Sequence, residues 1–108
     1  MLKRVSFLVR KPDLDAAAFR RYWLETHVPL AKAMPGIVRY QVNLLDDVEG
    51  RPLSSNGTPI DGYGELTFSD QAALEAAYAS PQGRLAAEDL ANFASEVLRC
   101  TLEEHDIV

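Results

Sequence analysis

Residues 10–43, RKPDLDAAAFRRYWLETHVPLAKAMPGIVRYQVN, contain a strand exit, an amphipathic helix interrupted by a proline, and the start of a second strand. Lys11-Pro12-Asp13 breaks the extended pattern before it, and Asp13 or Asp15 can cap a helix running to about Met34. On that helix Phe19, Tyr22, Trp23, Thr26, Leu30 and Ala33 recur at spacings of three and four, forming one stripe, with Arg21 and Glu25 on the opposite side. Pro29 lies inside the pattern. It lacks an amide donor and its ring clashes with the Glu25 carbonyl, which predicts a kink or break near His27-Val28. Pro35-Gly36 ends the element.

Strand patterns lie on either side. Residues 4–10 alternate Val5, Phe7 and Val9 against Ser6, Leu8 and Arg10. Residues 37–45 place Val38, Tyr40, Val42 and Leu44 opposite Arg39, Gln41 and Asn43. Residues 46–61 are rich in Gly, Pro, Ser and Asn and read as a long loop or frayed hairpin extension, functional or interfacial by its length. Residues 63–68 set Gly64, Leu66 and Phe68 against Tyr63, Glu65 and Thr67. An Ala-rich helix starts at Ser69 or Asp70, and Ser80-Pro81 caps and restarts another. From about Val97, Leu98, Cys100 and Leu102 alternate with Arg99, Thr101 and Glu103.

Each strand thus has an apolar face and a mixed one. Helices covering the apolar face give an α+β, ferredoxin-like β-α-β-β-α-β sandwich with an antiparallel four-stranded sheet. The mixed face, with Leu8, Tyr63, Gln41, Glu65 and Thr67, is too apolar for plain solvent. Pairing two such sheets would bury it and close a barrel across a homodimer. At 108 residues a single domain, 1–108, is expected, and so small a core gains by pairing with a copy.

The formal net charge of -5 and the scattered basic residues argue against a nucleic-acid partner. No apolar run nears the roughly 20 residues that span a bilayer, so no membrane partner is expected. The N-terminus shows no leader pattern, and one cysteine permits no intrachain disulfide, so the expected compartment is the cytoplasm. Two histidines without H-x-x-E or H-x-H spacing make a metal site unexpected, and no glycine-rich nucleotide loop is present.

The run 10–43 resembles the N-terminal half of EthD domains: a Lys-Pro exit from the first strand, an aromatic pair on the helix, a His followed by x-Pro-Leu, and Pro-Gly before strand two. IDGYGELTFSD (60–70) looks like the family's third strand and turn, and DLANFASEV (89–97) like its closing segment. The resemblance implies a dimeric α+β barrel, a fold shared with small monooxygenases, muconolactone isomerases and heme-binding relatives. It also implies catabolism or tailoring of small hydrophobic molecules, by an enzyme or by an accessory protein.

His27 is the candidate for chemistry. On an α-helical wheel it lies about 80° from the centre of the apolar stripe, at ~3.6 residues per turn. An imidazole at such a border can exchange a proton near neutral pH. Its bland alternative is to cap the broken helix or bond a loop carbonyl. The resemblance matches it to the family's helix histidine. Tyr40, Trp23, Tyr22, Phe7 and Leu66 are the candidates to line a pocket of a few hundred cubic ångströms between helix and sheet, holding a small hydrophobic oxygenated ligand. Trp23, Phe19 and Tyr22 read as core rather than as a cofactor box, with one of Tyr22 and Trp23 able to line a pocket next to His27.

Glu65 and Tyr63 would point into the barrel, with Arg39 or Arg99 pairing Glu65. Cys100 reads as a core thiol and His105 as part of a solvated strand end. Leu66 stands where muconolactone-isomerase-like relatives can carry a cysteine. Heme on His27 follows only from heme-binding relatives, so no cofactor is expected. The function expected is cofactor-free oxidation or isomerisation with His27 as acid/base; the alternative is a non-catalytic ligand-binding dimer.

Overall fold

A computed structural model describes residues 1–45 and 50–108. Strand β1 (Leu2–Arg10) leads to a helical segment built of α1 (Ala16–Tyr22), a turn over Trp23–His27 and α2 (Val28–Ala31). Then come β2 (Arg39–Leu44), β3 (Gly62–Phe68), α3 (Gln71–Ala79), α4 (Pro81–Asp89) and β4 (Ala94–Glu103). The strands form one antiparallel sheet in the order β2-β3-β1-β4. That order, with helices on one face, is the α+β ferredoxin-like arrangement expected from the pattern.

Local chemistry sets the helix ends. The Asp15 carboxylate accepts the Ala18 amide at 2.7 Å and the Asp70 carboxylate the Ala73 amide at 2.8 Å. Ser80 ends α3 and caps α4, its hydroxyl accepting from Gly83 at 3.0 Å with Pro81 in the first turn. The first helical segment stops at Ala31 rather than near Met34, and β4 begins at Ala94, earlier than its alternation predicts.

Register decides which side chains face the helices, because directly paired residues project to the same side of a sheet. Leu8 is fully buried against Phe19, Trp23 and Phe93. It pairs with Gly62 on β3 and Val97 on β4. The helix side therefore carries Arg4, Ser6 and Leu8 of β1 with Val97, Arg99 and Thr101 of β4. On β2 and β3 it carries Tyr40, Val42 and Leu44 with Gly62, Gly64 and Leu66. The apolar sets of β2 and β3 face the helices as expected; those of β1 and β4 face away.

Three expectations fall with that phase. Phe7 lies on the open face, its ring centroid 5.4 Å from Tyr63, and not in a pocket under the helices. Leu8 is beneath the helices and not on the barrel face. Cys100 is exposed on the open face rather than a core thiol. Tyr63 and Glu65 do occupy the open face. Glu65 pairs with Lys3 at 3.1 Å and accepts from Asn43 at 2.9 Å. Arg39 turns instead to Glu104, and Arg99 is on the other side of the sheet.

The loop expected over 46–61 lies partly outside the described residues. Its later portion folds back on itself: Ile60 donates to Pro52 and Ser54 to Thr58. Asp61 then ties it to β1, accepting the Arg10 amide at 2.8 Å while Arg51 bonds its other oxygen at 2.8 Å. Among the described residues no helix is long and apolar enough to cross a membrane.

Candidate active site

Pro29 shapes the stretch that holds His27. A regular α-helix would need an amide at residue 29 for the Glu25 carbonyl, and proline has none. The chain answers with a π-helical turn over Trp23–His27, in which the Val28 amide donates to the Trp23 carbonyl; α2 then resumes with Pro29 in its first turn. The helix widens where a kink or break was expected. The wider turn changes the angle between successive side chains, and His27, expected at the stripe border, is 6% exposed.

The partner of His27 is a carboxylate, not a backbone carbonyl. His27 Nδ1 lies 2.8 Å from Asp89 Oδ2. The Tyr22 hydroxyl donates to Asp89 Oδ1 at 2.6 Å, and the Asn92 amide donates to the same oxygen at 3.0 Å. Phe93 backs the group, stacked on Tyr22 at 4.9 Å and tilted against His27 at 5.1 Å. Asp89 ends α4, where the helix dipole disfavours an anion. A buried acid there is costly, and three donors offset the cost.

Electrostatics fixes the protons. Burial pushes the Asp89 carboxyl up, but hydrogen bonds from Tyr22, Asn92 and His27 outweigh it and hold the acid below its usual range. Burial also pulls the His27 imidazole below its ordinary value, against the opposing pull of Asp89. At neutral pH the pair is therefore an ionised carboxylate and a neutral imidazole. An ionised carboxylate only accepts, so Nδ1 carries the proton and Nε2 presents a basic lone pair.

Beside His27 is a cavity of about 70 Å³. Leu8, Trp23, Met34, Leu66 and Leu90 give it apolar walls, and Ser6 and Tyr40 add hydroxyls. Arg4, Arg99 and Tyr78 line it too. It is smaller than the few hundred cubic ångströms expected, because the Trp23 indole is pressed onto the sheet. A Cβ at residue 62 would come within 2.8 Å of that ring, so Gly62 makes its seat. Burial pushes the Tyr40 hydroxyl up to about 12 against a hydrogen bond with Trp23, so it stays a neutral phenol.

The sequence and this sheet order match known proteins. The EthD domain family matches residues 11–96. The chain belongs to the EthD domain family. An uncharacterized 11.0 kDa protein from the thcB-thcC intergenic region of Rhodococcus erythropolis is 36% identical over 92 residues, covering 85% of this chain and 84% of that one. Among solved structures, an ethyl tert-butyl ether d (EthD) family protein from Bacillus halodurans superposes with a TM-score of 0.77 at 24% identity, over 97% of this chain and 99% of that one.

Two further structures share the fold. A dimeric ferredoxin-like protein of unknown function from Bacteroides fragilis matches at a TM-score of 0.69 and 12% identity, over 95% of each chain. SnoaB, a cofactor-independent oxygenase from Streptomyces nogalater, matches at 0.69 and 15%, over 99% of this chain and 95% of that one.

Of the residues singled out in the sequence, this EthD domain brings His27, Trp23, Tyr40 and Leu66 to one cavity. Tyr22 stands behind His27 on Asp89 instead of lining the cavity, because its hydroxyl is held by that carboxylate. Phe7, Tyr63 and Glu65 lie across the sheet. Sequence reading missed Asp89, although it opens the DLANFASEV segment. The available signal was an acid followed by Leu90 and Phe93 at a helix end where an anion is disfavoured.

Proposed function

We propose that this EthD domain is a cytoplasmic, homodimeric enzyme acting on a small hydrophobic, oxygenated compound, with His27 as general base. The observation that carries the reading is the Asp89–His27 pair beside the cavity. A neutral imidazole with Nδ1 committed to a carboxylate directs its basicity through Nε2. The first step is removal of a proton from a carbon next to a carbonyl, or from a phenol-type hydroxyl, giving an enolate or a phenolate with carbanion character on carbon. Returning that proton to another carbon is isomerisation. Transfer of electrons from the carbanion to dioxygen is the cofactor-free oxidation of a catabolic or tailoring pathway, and the fold shared with a cofactor-independent oxygenase supports that branch. Tyr40, Trp23 and Leu66 shape the pocket, and Tyr22 positions Asp89.

Dimerisation is supported by the open face of the sheet. Phe7 lies there beside Leu98, Cys100 and Leu102, apolar side chains left partly or fully exposed, while Val5 and Val9 on the same face are buried within the chain. The single cysteine, exposed and unpaired, suits a reducing compartment.

The apolar walls and the neutral Tyr40 phenol also favour a second reading, an accessory dimer that only holds its ligand. Proton exchange separates the two. A panel of small ketones and phenols is incubated with the protein in D₂O and followed by NMR. The enzyme reading expects catalysed loss of an acidic C–H signal, reduced about 10²–10⁴-fold in His27→Asn, with the dimer and ligand binding retained. Exchange equal in the two proteins would remove His27 as the base, and binding without exchange would leave the accessory dimer.

A further inference from the structure

One part of the cavity has no task in proton transfer. Arg4 projects from β1 and Arg99 from β4, on the helix side of the sheet at staggered register positions, Arg4 opposite Thr101 and Ser6 opposite Arg99. Both line the cavity. The chain holds 16 acidic residues against 11 basic. Among the described residues, however, no ion pair engages either guanidinium, while Lys3, Arg10, Arg39 and Arg51 are all paired. The Arg4 Nε is buried with no hydrogen-bond partner, alone among the buried side-chain nitrogens and oxygens described.

The Arg4 guanidinium stacks over the Tyr78 ring, Cζ lying 4.8 Å from the centroid. Stacking engages the flat face of the cation and leaves the N–H donors in the plane of its edge. A donor fork fixed by an aromatic ring, with an unmade bond, is the complement of a planar two-oxygen anion. Along β1 the lining passes from Arg4 through Ser6 to Leu8. A cation at one end and an apolar residue at the other suit a molecule with one anionic end and a short apolar body.

We propose that the cavity takes a small hydrophobic carboxylate, its anion seated on Arg4 and Arg99 and its apolar body directed towards His27. This rests on the reading of the cavity as the ligand site and names the class of compound it selects. The carboxylate supplies the partner that the buried Arg4 Nε lacks. The apolar walls then exclude water from the remainder of the ligand and bring its acidic C–H to His27 Nε2. A neutral compound of the same shape would leave the Arg4 donors unmade and bind less well.

Titration of the purified protein with phenylacetate, benzoate and hexanoate, each against its primary amide, tests this through Trp23 fluorescence and NMR shifts. At least one carboxylate is expected to bind ten times more tightly than its amide. Arg4→Met should erase that preference with little change in Tm, since the lost contact with the Tyr78 ring is offset by removal of a buried Nε that makes no hydrogen bond. Arg99→Gln, at a more exposed position, should weaken the preference less. His27→Asn should keep the preference while losing proton exchange. Equal binding of acids and amides, no binding of any acid at millimolar concentration, or a preference unchanged in both arginine variants would overturn the proposal. Unchanged exchange in His27→Asn with the acid preference intact would instead defeat the general-base reading and leave this one standing.

Discussion

The helix-covered face of the sheet and its open face are made by the same four strands, yet they divide apolar and polar residues differently. On β2 and β3 the apolar set lies under the helices. On β1 and β4 the covered side carries Arg4, Ser6, Arg99 and Thr101, and the open side carries Val5, Phe7, Leu98 and Cys100. An amphipathic strand normally turns its apolar residues to the core. Here the covered side must also furnish a cavity with polar groups, so β1 yields Arg4 and Ser6 to it and β4 yields Arg99. The open side accepts the displaced apolar residues: Val5 and Val9 are buried there within the chain, while Phe7, Leu98 and Cys100 keep surface that a pairing sheet could cover.

The largest effect should come from breaking the covered side at Asp89. Asp89→Asn keeps the shape and removes the charge that three donors serve. Hydrogen bonds to a buried charge contribute about 1.5–3 kcal/mol each, so a loss of roughly 2–3 kcal/mol is expected by denaturant titration. In the native protein both folded groups titrate below their ordinary values. As pH falls below about 6.5 the unfolded histidine binds its proton first, and stability drops until the folded His27 value is reached. A second loss follows as pH falls from the ordinary carboxylate range through the folded Asp89 value. The variant should lose that second limb. Asp89 also raises the His27 value, so the acid limb of kcat/KM should move to lower pH in Asp89→Asn. A merely structural aspartate would lower Tm and leave the limb in place.

The open side is broken at Cys100, which is exposed and opposite Val5. A charge there meets solvent in an isolated chain but sits in an apolar interface if two sheets pair. Cys100→Glu should therefore dissociate the dimer, by at least tenfold in sedimentation equilibrium, while an isolated chain stays within about 0.5 kcal/mol of its parent. The parent thiol should also resist alkylation at high protein concentration and react when diluted. A monomeric parent would refute the pairing.

Sequence reading reached the element order, the Ser80 cap, the Asp15 and Asp70 caps each as one of two candidates, and the faces of β2 and β3. It failed on the faces of β1 and β4. Alternation identifies two sides, and hydrophobicity chooses between them only where one side meets water. Trp23, Tyr40 and Leu66 were legible because helix phase or strand parity places them between layers, whereas phase put His27 only at the stripe border and the π-helical turn buries it. Asp89 was not legible. It is 62 residues from His27, and no local pattern announces a pairing made by the packing of α4 against the first helical segment. Phe7 and Tyr22 were misassigned for related reasons: one followed the wrong strand face, and the other has a hydroxyl whose partner was unseen.

Tyr22 gives the smallest and most discriminating effect. Its hydroxyl donates to Asp89 Oδ1 at 2.6 Å while its ring stacks on Phe93, so Tyr22→Phe removes one bond and leaves the packing. Asn92 still donates to the same oxygen. The stability cost should be about 1 kcal/mol, and turnover should fall by less than tenfold. The direction of the pH shift carries the information. With one donor gone, the carboxylate concentrates more charge on His27 and holds its proton more tightly. The His27 value then rises, and the acid limb of kcat/KM moves to higher pH, opposite to its movement in Asp89→Asn. Opposite shifts from two changes on either side of one carboxylate require that Asp89 tunes the imidazole. Shifts of the same sign would reduce Tyr22, Asp89 and Asn92 to a buried polar tie between helices.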